Sequence, residues 1–229
     1  MFLVDLIKGL HQSIYRYSEV LNYLHSRLVT DEEIKTYELG YNKIVRVPED
    51  TDPERAEFME ECNKGRKLEN KIIFPFKDAM GYPLGLVGRS IEHKEFKVYI
   101  TNEAKFKGFF FGLCQALPHI YREGRVFLVE GCFDYLAFSK VFPNTVATMT
   151  AGLSDAQYDL LTLYCDTIVT VFDSDKAGKY AKKEALQRPG VIGVDLGYKD
   201  PASYLEEYKF KRFKELLFKK INSVVGLRN

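Results

Sequence analysis

The chain has few cysteines, no long apolar run and almost no net charge, and each shortage narrows the chemistry open to it. Its four cysteines, Cys62, Cys114, Cys132 and Cys165, are scattered through 229 residues and never form a C-x-x-C pair. That spacing argues against a zinc ribbon and against a disulfide framework, and reduced thiols in a cytosolic protein are the plain reading. No apolar stretch is long enough to span a bilayer, and Asp5 comes too early for a secretory signal. Internal repeats and low-complexity segments are also missing. The expectation is a soluble cytoplasmic chain with no membrane partner.

What is present is a hydrophobic fraction of 46% with 14% aromatics, enough for one large domain or two small ones with their own cores. The net charge of +1 conceals a strongly uneven distribution. Residues 1–63 carry 7 Lys+Arg against 13 Asp+Glu, whereas residues 64–107 carry 10 against 5 and form a basic island. Residues 108–203 hold 9 against 11, and residues 204–229 hold 7 against 3.

Apolar residues at Leu6, Leu10, Ile14, Leu21, Leu24 and Leu28 follow helical spacing and predict an amphipathic helix or helical hairpin over 4–28. Thr30 with Glu33 reads as a capping box opening a short helix that Gly40 ends, with a strand near 41–47. The charged stretch 49–67 reads as a solvated helix or loop. Lys71–Lys77, the turn Asp78-Ala79-Met80-Gly81 and Leu84–Val87 predict a β-hairpin, which Phe96–Ile100 and Phe109–Phe111 extend into an antiparallel sheet. After Pro118, strands at 126–129, 145–149, 167–172 and 191–194 alternate with helices at 133–142, 154–163, 175–187 and 201–208. That alternation predicts a parallel sheet with helices on its faces. The fold class is therefore α/β: a mixed amino-terminal subdomain over 1–115, a parallel-sheet domain over 116–208 and a basic helix over 209–229.

Carboxylates fall where the strands of that sheet end. Glu130-Gly131-Cys132-Phe133-Asp134 follows one buried-strand run and Asp173-Ser174-Asp175-Lys176-Ala177-Gly178 follows another, while Asp200 opens the last helix of the block. Ligands of parallel sheets sit beyond the carboxyl ends of the strands. Asp173 and Asp175, two residues apart on an extended segment, point in similar directions. Like charges so close either retain a proton or share a cation, and hard oxygen donors select Mg²⁺, Mn²⁺ or Ca²⁺. A lone Asp at a helix start is commonly a cap; several at consecutive strand ends favour metal.

Glu130-Gly131 with Asp134, and Asp173-x-Asp175 in the context Phe172–Gly178, resemble the TOPRIM domain shared by bacterial-type primases, type IA and II topoisomerases and some nucleases. Upstream, Tyr23–Arg27, Glu38–Tyr41, Asn70–Asp78, Gly81 and Gly85-Leu86-Val87-Gly88-Arg89 resemble the amino-terminal subdomain of the DnaG-like primase core. The resemblance covers residues 15 to 208. It implies a nucleotidyltransferase that makes short primers from nucleoside triphosphates on a single-stranded DNA template, using two or more Mg²⁺ or Mn²⁺ ions and no zinc. Glu130, Asp173 and Asp175 would be the catalytic metal-site residues, with Asp134 and Asp200 as further ligands. Many relatives carry another acid where this chain has Ala202, which bears on the number of metals.

In the same terms Arg89, Lys176 and Lys199 would contact nucleotide. Lys64, Arg66, Lys67, Lys71, Lys77, Arg89, Lys97, Lys105 and Lys107 would line a DNA groove. Neither the zinc-binding domain nor the helicase-binding domain that usually flanks such a core is expected in this sequence. A replicative helicase or a separate template-recognition protein is then a further expected partner, and a bacterial, viral or plasmid replication system the expected setting. Two other readings keep the fold: a TOPRIM nuclease acting on DNA or RNA, and a catalytically silent single-stranded-DNA-binding scaffold.

Overall fold

A computed structural model describes residues 2–43, 53, 56–57, 60, 68–92, 97–101 and 108–226. It divides into two compact units, residues 1–106 and 107–229. The second unit therefore begins ahead of the boundary expected at 115/116. Among the described residues, no helix is long and apolar enough to cross a membrane.

The first unit begins with two helices, α1 (Phe2–Ile14) and α2 (Ser18–Ser26), where the sequence predicts an amphipathic helix or a helical hairpin. Leu3, Ile7 and Leu10 on one face of α1 pack with Leu68, Ile73 and Leu86 into a buried cluster. Each such side chain removed from water contributes about 1.5–3 kcal/mol. Thr30 caps α3 (Asp31–Thr36) in the expected box: its hydroxyl accepts from Glu33 N at 3.2 Å, and Glu33 Oε2 accepts from Thr30 N at 2.8 Å. The helix stops at Thr36, before Gly40. Gly40 serves a different purpose, since a Cβ there would sit 2.8 Å from the backbone of Leu10 in α1.

Strands β1 (Gly40–Asn42), β2 (Lys71–Lys77), β3 (Pro83–Ser90) and β4 (Lys97–Thr101) form an antiparallel meander in that order. The Asp78 carboxylate closes the β2–β3 turn by accepting from Met80 N and Tyr82 N, each at 2.9 Å. β1 pairs β2 only from Lys71 to Ile73. Pro75, which has no N–H to donate, thus lies past the end of β1 where no partner strand needs one. Of the stretches expected at 41–47 and 49–67, residues 53, 56, 57 and 60 are helical and most of the rest lies outside the described residues.

The second unit holds α4 (Leu113–Glu123), β5 (Arg125–Val129), α5 (Cys132–Ser139), β6 (Thr145–Ala147), α6 (Asp155–Thr162), β7 (Thr167–Thr170), α7 (Lys176–Ala185), β8 (Val191–Gly193) and α8 (Pro201–Val225). Its sheet is parallel throughout, in the order β6-β5-β7-β8. One expectation changes here. Phe109–Phe111 does not extend the first sheet: Phe111 exchanges two 3.0 Å hydrogen bonds with Ala147 on β6, and Gln157 Nε2 donates to Phe109 O at 2.8 Å. α8 is two helical segments that meet at a kink at Lys209, as the separate helices expected over 201–208 and from 209 onward require. The second segment buries Phe213, Leu217 and Ile221, with Phe218 against Phe142 at 5.0 Å between ring centroids.

The break in α8 is local. Lys209 has φ 56° and ψ 165°, a conformation that nearly only glycine adopts without cost. Lys209→Gly is expected to stabilise the protein by about 1 kcal/mol, read as a higher urea midpoint with an unchanged slope.

Candidate metal centre

The chain crosses from one side of the second sheet to the other around β5. β6 lies to one side of it and β7 to the other, so a crevice opens beyond the carboxyl ends of β5 and β7. Glu130 is the residue after β5, and Asp173 and Asp175 follow the end of β7. The strand ends are carried into that crevice by buried runs, Val126–Val129 and Ile168–Thr170, that pair residue by residue.

Each carboxylate has a distinct anchor. Glu130 Oε1 accepts from the Asp173 backbone N–H at 3.1 Å, tying the two strand ends together. Asp175 caps α7, accepting from Gly178 N at 2.8 Å. Asp200 caps α8, accepting from Ser203 N at 2.6 Å and from Ser203 Oγ at 3.0 Å. Asp134 accepts from Gly131 N at 3.1 Å and from Ala202 N at 3.2 Å. Asp173 is the exception: its buried Oδ1 has no hydrogen-bond partner.

Burial first, and then the negative charges of Asp134, Glu130, Asp200 and Asp175, together raise the Asp173 pKa to about 8. All five acids expected from the sequence therefore converge electrostatically on one atom group. They are not drawn into a ready ligand set, since among the described residues no three His, Cys, Asp or Glu side chains are grouped to hold an ion. Four of them rest instead on backbone N–H donors, as mutual repulsion favours. The donors are all hard oxygens, and a partnerless carboxylate oxygen lies at their centre, so the residues fit Mg²⁺ or Mn²⁺.

Two loops hold this arrangement. Ser174 N donates to Lys199 O at 2.9 Å and Ser174 Oγ to Tyr198 O at 2.5 Å, fastening the 173–175 loop to the 198–200 loop. Gly178 leaves room for the approach of α7: a Cβ there would overlap the Asp173 carbonyl and come within 2.9 Å of Glu130 Oε1. The sequence offered Ser174 and the Ala202 amide no sign of these roles, because a serine between two acids and a backbone N–H look ordinary until their partners, 24 and 68 residues away, are known.

A family described as Toprim-like matches residues 127–205. The DNA primase of Aquifex aeolicus is 30% identical over 90% of this chain and 46% of its own length, and that of Helicobacter pylori J99 is 25% identical over 96% and 43%. The crystal structure of the zinc-binding and RNA polymerase domains of the Aquifex primase superposes with a TM-score of 0.77 at 25% identity, covering 97% of this chain and 60% of that one. A DnaG catalytic core gives 0.79 at 20% identity, over 95% and 78%. The chain is DnaG-like, with a TOPRIM domain. It spans slightly under half the length of these primase relatives.

In the TOPRIM domain, Lys176 and Lys199 stand exposed beside Asp175 and Asp200. In the first unit of this DnaG-like core, Arg89 is half-buried on β3 with its Nε lacking a hydrogen-bond partner. Lys71 departs from the expectation of an exposed groove residue, because it is buried and its Nζ donates to Glu69 O at 3.2 Å. Lys77 is paired with Glu38. The side chains of Lys64, Arg66, Lys67, Lys97, Lys105 and Lys107 lie outside the described residues.

Two outcomes are expected from the TOPRIM geometry. Because the folded pKa of Asp173, about 8, exceeds its unfolded value of 3.8, its favourable protonated contribution is complete below about pH 4 and is lost as pH rises through about 8. Asp173→Asn should thus raise metal-free stability at pH 8 by about 1–2 kcal/mol after allowance for solvent screening. It should also flatten the decline between pH 5 and pH 8 in urea titrations. Gly178→Ala should cost about 1–3 kcal/mol through overpacking and weaken Mn²⁺ binding measured by calorimetry.

Proposed function

We propose that this chain is the catalytic core of a primase, joining nucleoside triphosphates into short primers on single-stranded DNA with divalent metal. The observation that carries the reading is the convergence of Glu130, Asp134, Asp173, Asp175 and Asp200 at the switch point of a TOPRIM sheet. It stands in a chain whose whole length, antiparallel unit included, follows DnaG-like cores. A topoisomerase or nuclease reading would account for the TOPRIM sheet but not for the first unit. One of the related catalytic domains has been solved bound to single-stranded DNA, which supports the choice of template.

Glu130, Asp173 and Asp175 would hold the ions, with Asp134 and Asp200 beside them. Mg²⁺ or Mn²⁺ there would neutralise the triphosphate and lower the pKa of an attacking 3′-hydroxyl. The chain's own part is positional. Val126–Val129 and Ile168–Thr170 fix the two strand ends, the Glu130 to Asp173 N–H bond sets their spacing, and Ser174 holds the intervening loop. Such positioning converts a bimolecular encounter into an oriented one, and no side-chain nucleophile is required. Arg89, Lys176 and Lys199 are proposed for the triphosphate and template. The basic residues of 64–107 are proposed for the template backbone, with Lys71 and Lys77 the weakest members because both are already engaged. A helicase or a separate template-recognition protein is a proposed partner, and the bacterial cytoplasm is the proposed place of action.

The test is incubation with single-stranded DNA, labelled nucleoside triphosphates and Mg²⁺ or Mn²⁺. Triphosphate-dependent oligonucleotides are expected, falling at least about 100-fold in Asp173→Ala and Asp175→Ala, while single-stranded DNA binding survives. Cleavage of the template without synthesis would establish the nuclease, and full biological function in both variants the silent scaffold.

A further inference from the structure

Asp134 lies in the first turn of α5, and its two oxygens reach two different helix starts. Oδ2 accepts from the N–H of Gly131, the residue that opens α5, at 3.1 Å. Oδ1 accepts from the N–H of Ala202, in the first turn of α8, at 3.2 Å. First-turn amides have no acceptor within their own helix, and a carboxylate there also complements the dipoles of both helices. The second of these bonds joins segments 68 residues apart in sequence.

What α8 carries at that end is Asp200. It is the N-cap of the helix, two residues before Ala202, and its carboxylate is held by Ser203 in the same turn. The backbone between Asp200 and Ser203 moves as a unit, because Pro201 restricts it and Asp200 is bonded to both N and Oγ of Ser203. Ala202 is buried, so the segment cannot shift without opening the packing beneath it. Wherever the Ala202 N–H is held, Asp200 is held too.

We infer that Asp134 is a positioning residue, a clip between the N-termini of α5 and α8 that fixes where Asp200 stands, leaving ligation of metal to Glu130, Asp173 and Asp175. The consequence for metal rests on the metal-binding reading above; the clip itself rests only on the two hydrogen bonds. Asp134→Ala removes both acceptors. Asp134→Asn keeps one acceptor oxygen and the same shape, but its amide nitrogen cannot accept.

The experiment compares wild type, Asp134→Asn and Asp134→Ala in three measurements: thermal unfolding without metal, amide hydrogen exchange at Ala202 and Ser203, and MnCl₂ binding by calorimetry and electron paramagnetic resonance. The expected result is a melting temperature lowered by a few degrees in Asp134→Ala and less in Asp134→Asn. Exchange should accelerate at Ala202 but not at Ser203. Mn²⁺ should bind with unchanged stoichiometry and about tenfold weaker affinity in Asp134→Ala, partly restored in Asp134→Asn. A purely structural brace would lower the melting temperature and leave Mn²⁺ affinity alone, and that result overturns the positioning role.

Loss of one Mn²⁺ from Asp134→Asn with an unchanged or raised melting temperature would make Asp134 a ligand and overturn the inference as well. If Asp134→Ala does not fold, Asp134→Asn decides by the same criteria. Should wild type bind no Mn²⁺ at all, the metal reading fails by itself; the clip then stands or falls on the melting temperature and on exchange at Ala202.

Discussion

Repulsion among carboxylates at the end of one parallel sheet is the constraint around which the second unit is built. Four acids bear on Asp173, whose own Oδ1 is buried without a donor. A buried carboxyl of this kind is costly to ionise, and proteins that keep one use it for binding or for proton transfer. The surrounding backbone limits the cost by supplying amide donors to the other four acids, at the starts of α5, α7 and α8 and at the end of β7. Three helix N-termini directed at one crevice add partial positive charge where the acids need it.

The rest of the unit keeps those donors in place. Phe127, Phe138, Phe142 and Phe218 form one continuous aromatic cluster that joins β5, α5 and the distal half of α8. The strained residue Lys209 joins that distal segment to the proximal one, whose start carries Asp200. Gly178 has the complementary function on α7, where the absence of a side chain lets the helix start close over Glu130 and Asp173. Strain and close approach thus fall on the same few elements that position acids, as expected where function rather than stability selected the geometry.

The first unit obeys a different logic. Its meander is closed by turn chemistry, and α1 packs on Ile73 and Leu86 of its central strands, which are buried at consecutive positions. Basic residues on such a sheet cannot all face outward. Lys71 is withdrawn onto a carbonyl and Lys77 onto Glu38, while Arg89 on the neighbouring strand keeps an unpaired Nε. A count of lysines along 64–107 therefore overstates the positive surface, and Arg89 is the better candidate for an anion.

Local patterns were enough to place most elements. The Thr30–Glu33 box forms as the spacing predicts, and the strand runs before Glu130 and Asp173 deliver both acids to one edge, because period, capping and β-branched content act over a few residues. Where Phe109–Phe111 pairs, and which lysines reach solvent, were decided by contacts outside those local patterns. The same division runs through the acidic site. Sequence by itself placed five carboxylates at strand ends and helix starts, since each is fixed there by its neighbours. Only the tertiary structure decided what each one does there: Asp173 is left without a donor, and Asp134 is committed to an amide on another helix. Hydrogen-bond partners depend on the packing of whole elements, not on the residues beside them in the chain.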